Sequence, residues 1–336
     1  MNKKIYEKIH KKIYKQILDF SDKFQINKTN NKTHINIWKN FLNYKDIKKK
    51  YPYEIYKKKA FSKKHINYEQ TDFYIIDLDC QRTLFENNKI KHNRSHSIDI
   101  KGKSKEIEEK NNIINNYNKK SDEMKRICLN NILKTLISLN REQTYCQGMN
   151  FIAAFLLRVL NEKEEDTFYF MTGLFKCTTY PKIFHDNLFQ LTLYFNIFNH
   201  LLYIFIPNLY YYFKNNNVIP NYYLSSCFIT LFTNYANKEK NINLFIKIFD
   251  FFIIDGWKGI FNILLEILWN NEEKIINLKN EDLLHYLNGN LVKDFMENYQ
   301  DFKCFEFKTD RKVSNKLIKN IEDILLSSTK LGISIE

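Results

Sequence analysis

Glycine and proline are scarce in this chain, with 7 and 4 among 336 residues. So few turn formers exclude collagen-like and Gly/Pro-rich low-complexity chains and count against a sandwich of many short strands joined by tight turns. Cysteine is thinly spread: Cys80, Cys128, Cys146, Cys177, Cys227 and Cys304 include no pair at a metal-ligand or redox spacing, so they read as reduced cytosolic thiols. Several catalytic signatures are also missing, among them H-E-x-x-H, the G-x-S-x-G elbow and the dinucleotide fingerprint. Self-contained catalysis therefore has no motif to rest on. The opening Met1-Asn2-Lys3-Lys4 alternates Lys with Ile and Tyr instead of leading into an apolar block, so no secretory signal is expected.

What is present is apolar and basic. A hydrophobic share of 44% is enough for a substantial core. The formal net charge is +14, but Lys and Asn are abundant almost everywhere, which points to compositional bias more than to a built patch. No arginine-rich stripe with interleaved aromatics occurs, so no nucleic-acid partner is expected.

Periodicity decides the fold class. Ile5, Ile9, Ile13 and Ile17 predict a basic amphipathic helix within residues 1–26 that packs against the domain and solvates its Lys face; the alternative is a peripheral membrane contact through residues 1–20. Ile35, Ile37, Trp38, Phe41 and Leu42 form a stripe with Trp38 as a core anchor, and a charged helix follows over Tyr53–Phe61. Residues 86–120 lose periodicity and read as a disordered low-complexity insertion. Within it, Lys101-Gly102-Lys103-Ser104 has Ser97 where a phosphate loop needs glycine, and His92 and His96 lack a further ligand. From Met124 a helical period runs to a polar break, and Phe151–Leu160 continues apolar on most faces.

Downstream, Asn161 with Glu164 predicts a capping box for a helix through Phe175. Leu188–Phe213 is long and apolar enough to raise a membrane span, but Gln190, Asn196, Asn199, His200 and Pro207 make a buried helix followed by a Pro-started one the better reading. Tyr222–Phe232, a helix from Asn241 through Phe252, Trp257–Trp269, Glu281–Leu287 and Leu291–Tyr299 complete the helical series. Residues 301–336 read as a helical extension. No segment between Met124 and Tyr299 keeps a period of two, so the expected class is all-α.

Two polar clusters interrupt this pattern. One is Ile76-Asp77-Leu78-Asp79-Cys80-Gln81-Arg82-Thr83; the other is Thr144-Tyr145-Cys146-Gln147-Gly148-Met149-Asn150. An Arg and a Gln together suit GTP hydrolysis, where charge builds on phosphoryl oxygens and a water must be aimed in line. Arg brings a fixed charged fork, and Gln can accept from a water while donating to a phosphate. Taken as residues alone, a buried Asp79–Arg82 pair and a helix-capping Gln147 are equally acceptable.

Ile76-x-x-Asp79-x-x-Arg82-Thr83 followed by Tyr145-x-Gln147-Gly148-Met149-Asn150 resembles the paired finger motifs of the TBC domain, the Rab GTPase-activating family. Ile37-Trp38-Lys39-Asn40-Phe41-Leu42 is similar to the helix that opens that domain. Ser226–Phe232 resembles its third motif, and Ile248-Phe249-Asp250 with Asp255-Gly256 and Phe261 a downstream block. The resemblance spans residues 33–300. It departs at the absent Gly-Ile-Pro and Arg before the first Trp, at Phe85 in place of a Pro and at Cys227 in place of a Trp.

The resemblance implies a two-lobed, multi-helix domain that acts on a GTP-bound Rab-family GTPase in vesicle trafficking, in the cytoplasm or peripherally on endomembranes. It implies Arg82 and Gln147 as catalytic residues supplied in trans, Arg82 neutralising charge at the β/γ phosphates and Gln147 positioning water. Asp79 would orient the Arg-bearing turn and Thr83 brace it, Tyr145 wall the pocket, Gly148 permit close backbone approach, and Asn150 tie down the following helix. No cofactor or metal of its own is implied, since the partner GTPase carries GTP and Mg2+. The other reading is a TBC-like scaffold that binds a GTPase or tethers at a membrane without accelerating hydrolysis.

Overall fold

The structure is a computed structural model that describes residues 31–62, 71–83, 103–139, 144–237, 242–298 and 313–330. The expected N-terminal helix within residues 1–26, the His92/His96 pair and most of the stretch ahead of Lys103 lie outside these residues. Among the described residues every regular element is helical. In chain order the α-helices are α1 (Lys32–Phe41), α2 (Tyr44–Lys50), α3 (Tyr53–Phe61), α4 (Asp72–Arg82), α5 (Lys103–Ile137), α6 (Met149–Val159), α7 (Glu164–Cys177), α8 (Phe189–Phe205), α9 (Pro207–Asn215), α10 (Asn221–Thr230), α11 (Thr233–Ala236), α12 (Asn243–Asp255), α13 (Trp257–Asn270), α14 (Glu272–Ile276), α15 (Asn280–His285), α16 (Leu291–Asn298) and α17 (Asn315–Lys330).

The chain divides into two compact units, one drawn from residues 45–172 and 233–242, the other from residues 1–44, 173–232 and 243–336. In the first, α5 packs against α3, α4 and α6. Its apolar stripe, Leu129, Ile132, Leu133 and Leu136, is buried, and α6 is buried on nearly every face from Ile152 to Leu157. A fully buried side chain such as Phe155 contributes about 2–3 kcal/mol by loss of apolar contact with water. Glu164 joins three helices: it accepts from Tyr53 Oη and Lys57 Nζ of α3, the latter at 2.6 Å, and from Asn131 Nδ2 of α5 at 3.3 Å. From the far end of α6, Arg158 Nη1 donates to the Ala236 carbonyl at 3.1 Å, and Asn237 Nδ2 donates to the Phe151 carbonyl at 2.9 Å.

The second unit is built around aromatic side chains. Trp38 of α1 has 0% exposure, meets Phe249 of α12 edge-on at 4.8 Å and donates its indole N–H to Asp250 Oδ1 at 2.6 Å. His34 Nδ1 holds the other carboxylate oxygen at 2.7 Å. Gly256, at φ +62, turns the chain from α12 into α13. A Cβ on Gly259 would lie 2.6 Å from the Phe251 carbonyl oxygen, so glycine permits the close approach of these helices. The Trp257 ring stacks on Phe228 of α10 at 5.3 Å, and buried Cys227, standing where the family pattern has a Trp, adds a thiol that burial pushes up to about 12.

One expectation changes. The Asn161/Glu164 capping box does not form: Asn161 and Glu162 take left-handed backbone at φ 54 and 63, ending α6 with a Glu162 N–H to Leu157 carbonyl bond of 2.8 Å, while Glu164 faces α3 and α5. Closing the helix before outcompeted opening the next. Within the expected insertion of residues 86–120, residues 103–120 take helical backbone as the first part of α5. That stretch lacks Pro and any Gly after Gly102 and is rich in Lys, Glu and Ile, so its backbone can follow the helix propagated from the packed portion. The first polar cluster lies on a helix: Ile76 to Arg82 is the second half of α4, and Thr83, at φ −67 and ψ 118, is its extended C-cap. The apolar run from Leu188 splits at Pro207 into α8 and α9, and no described helix is long and apolar enough to cross a membrane.

Candidate functional site

The two polar clusters meet inside the first unit. Tyr145 Oη donates to Asp79 Oδ2 at 2.8 Å and lies 3.3 Å from Asn150 Oδ1. Asn150 Nδ2 donates to Thr83 Oγ1 at 2.9 Å, and that hydroxyl in turn donates to the Asp79 carbonyl at 2.7 Å. Asn150 Oδ1 also accepts the Gly148 N–H at 3.1 Å. A closed circuit thus runs from the C-terminal turn of α4 through the loop before α6 and back. Asp79, Thr83, Tyr145 and Asn150 are all buried, at 5, 1, 7 and 3% exposure, so each of these bonds is made where water cannot replace it.

The backbone of the loop is fixed as well. Gly148 has φ 113 and ψ −24, a region open to glycine, which lets the chain turn directly into α6. At the other end of α4, Asp72 Oδ2 accepts the Tyr145 N–H at 2.9 Å. Asp72 therefore pins the start of the Arg-bearing helix to the Gln-bearing loop. Sequence reasoning passed over it, because an Asp in the first turn of a helix reads as a dipole-compensating residue until the fold brings a distant N–H to it. Lys134 of α5, buried beside the Phe73 ring at 5.3 Å, adds a further tie by reaching Asp77 Oδ1 at 2.5 Å.

Arg82 and Gln147, by contrast, are exposed. Arg82 is the last residue of α4, between Asp79 and Thr83; Gln147 sits between Tyr145 and Gly148. Neither structural alternative describes them. The Asp79 carboxylate is taken by Tyr145 instead of Arg82, and the N-terminus of α6 has no side-chain cap. Tyr145 is buried and braces the loop through its hydroxyl.

Three proton donors near Arg82 and Gln147, namely Tyr145, Cys80 and Cys146, are held in their neutral forms. Burial, then the Asp79 charge and its hydrogen bond, raise the Tyr145 hydroxyl, which stays a donor. Burial with Asp77 and Asp79 pushes the Cys80 thiol up to about 12, and burial with Asp79 raises Cys146. Among the described residues no group of three or more His, Cys, Asp and Glu side chains could hold a metal ion. The arrangement presents one cation and one amide outward from a rigid base.

The family model described as the Rab-GTPase-TBC domain matches residues 86–276, more than half of the chain. The chain belongs to this TBC family. Gln147, Gly148 and Asn150 lie inside the matched stretch, whereas Asp79, Arg82 and Thr83 lie just ahead of it. Relatives include TBC1 domain family member 4 of Mus musculus, 27% identical over 167 residues, covering 49% of this chain and 12% of that protein. The Rab GTPase-activating protein eat-17 of Caenorhabditis elegans is 28% identical over 212 residues, covering 63% and 23%. The GTPase-activating protein GYP5 of Saccharomyces cerevisiae is 26% identical over 170 residues, covering 51% and 18%. The TBC chain thus spans a small part of each relative's length. Among solved structures, the Chlamydomonas flagellar RabGAP TBC domain superposes with a TM-score of 0.54 at 15% identity, covering 85% of this chain and 86% of that one. The fold is that of a TBC domain.

Proposed function

We propose that this TBC chain is a GTPase-activating protein for a Rab-type small GTPase in membrane trafficking, supplying Arg82 and Gln147 in trans to a nucleotide and Mg2+ held by the partner. The observation that carries the reading is the contrast between a buried, hydrogen-bonded circuit of Asp79, Thr83, Tyr145 and Asn150 and the two exposed residues that flank it. A rigid support for polar groups that face solvent suits a task completed by another molecule, because preorganisation matters only for a ligand that arrives. Arg82 neutralises charge developing on the phosphoryl oxygens; Gln147 aims the attacking water. The TBC chain hydrolyses nothing by itself.

An arginine finger is worth about 10³–10⁵ in rate, or roughly 4–7 kcal/mol of transition-state stabilisation. Purified chain is added to a panel of GTP-loaded Rab GTPases and single-turnover phosphate release is followed. Arg82→Ala should remove stimulation of the responding Rab while leaving helical content and Rab binding intact, and Gln147→Ala should be comparably severe. Full stimulation by Arg82→Ala would sink the mechanism. Binding without stimulation by the wild-type chain would instead leave a scaffold.

A further inference from the structure

A strongly basic surface that the finger reading leaves unused lies on α2 and α3, in the unit that also carries Arg82 and Gln147. Residues 45–62 contain seven lysines against Asp46 and Glu54. Two of the lysines are committed: Lys48 to Glu165 at 3.5 Å and Lys57 to Glu164 at 2.6 Å. Lys45, Lys49, Lys50, Lys58 and Lys59 are exposed and make no ion pair among the described residues.

Inside this basic field stands an apolar side chain. Ile55 is 66% exposed. On α3 the residues three and four positions along are Lys58 and Lys59, so helical spacing puts two ammonium groups on the same outward face as Ile55, opposite the buried Tyr53 and Ala60. Rings lie beneath the charges: Lys59 Nζ is 6.0 Å from the Tyr56 centroid, and Lys50 Nζ is 5.4 Å from that of Tyr51.

We infer that the α2–α3 surface docks on an anionic lipid bilayer, its lysines among the headgroups and Ile55 reaching toward the acyl boundary. Charge complementarity selects the partner. All five cations are Lys, compact point charges on flexible stems, which suit a diffuse field of phosphates; recognition of one carboxylate or phosphopeptide favours the planar fork of Arg, and this surface has none. An isolated exposed Ile gains little from an acidic polypeptide but gains burial at a membrane, and Tyr is a residue type that settles at headgroup depth. The inference is independent of the GTPase reading, because its test contains no GTPase.

Binding of the intact chain is measured by co-sedimentation with phosphatidylcholine vesicles, with or without abundant phosphatidylserine, at low and raised salt. The chain should bind only the anionic vesicles, and less at raised salt. Reversing Lys49, Lys50, Lys58 and Lys59 to Glu should weaken binding by more than about a hundredfold, since each lysine near the surface adds roughly fivefold. The same charge change at exposed Lys182, Lys214, Lys316 and Lys319 should cost much less. Ile55→Ser should lower binding severalfold while keeping its salt dependence. Circular dichroism checks that each variant keeps its helices. The proposal is overturned by equal loss in both charge-reversed variants, by failure of the wild-type chain to prefer anionic vesicles, or by no effect of Ile55→Ser together with equal binding to polyglutamate, which would make the partner an acidic polypeptide.

Discussion

Removing one oxygen atom tests whether the buried circuit sets the fingers. Tyr145→Phe keeps the ring in its place and deletes the donor that reaches Asp79 Oδ2 at 2.8 Å. Asp79 is 5% exposed, so solvent cannot substitute for the lost O–H. A hydrogen bond to a charged acceptor is worth about 1.5–3 kcal/mol net, and leaving a buried acceptor unmet holds the cost at the upper end, about 2–3 kcal/mol. The loop is not wholly released: the Tyr145 N–H stays on Asp72, and Gly148 stays on Asn150. Gln147 should therefore lose precision of placement without leaving the surface. Stimulated hydrolysis should fall about tenfold, well short of the loss from Arg82→Ala, because displacement of a positioned group by a fraction of an ångström costs less than the roughly hundredfold associated with a full one. Urea unfolding followed by circular dichroism reads the first quantity, as a shift in midpoint at constant slope. Single-turnover phosphate release reads the second. A variant within about 0.5 kcal/mol of wild type, a typical bound for surface changes, with unaltered hydrolysis would refute the role given to the circuit.

Asp72→Ala should cost about 1 kcal/mol and weaken stimulation, because a part-buried backbone donor is stranded. Asp72→Asn, which keeps an acceptor oxygen, should largely restore both in the same assays. Gly148→Ala should destabilise by about 1–2 kcal/mol, since φ 113 lies where a Cβ is strained, and it should impair stimulation more than its stability loss explains. Acid should act through Glu164. Burial alone would raise that carboxyl, but hydrogen bonds from Lys57, Tyr53, Cys128 and Asn131 hold it below 4.5. Its folded-state pKa is depressed, so its contribution is complete above the unfolded value and is lost as pH falls through the folded one. Glu164→Gln should flatten the acid limb of stability below about pH 4.5, measured by urea midpoints across pH; an unchanged limb would remove Glu164 from acid unfolding.

Much of the fold was legible because helix formation is a local matter of apolar spacing and of where Pro and Gly fall. Trp38 as a core anchor, the break at Pro207, the turn at Gly256 and the all-α class all follow from residues within a turn or two of one another. The capping box failed for a related reason: Asn161 serves two competing local structures, and spacing does not say which closes. Arg82, Gln147 and the residues flanking them were legible as motifs. Their motif spacing carried the family, not the physical arrangement.

Tertiary structure alone decided how the site is held. Asp79 could have paired with Arg82 three residues on; the fold instead brings Tyr145 to it from 66 positions away and leaves Arg82 outward. Asp72 acquired a partner 73 positions distant, and Thr83 became the link between Asn150 and the Asp79 carbonyl. Hydrogen bonds at such separations depend on how helices pack, and packing is a property of the whole core that no window of sequence contains. By itself the sequence determined most of the helical segments and marked Arg82 and Gln147 as the residues that carry the motif resemblance. The packed core determined which polar groups are buried together, and so which side chains remain exposed.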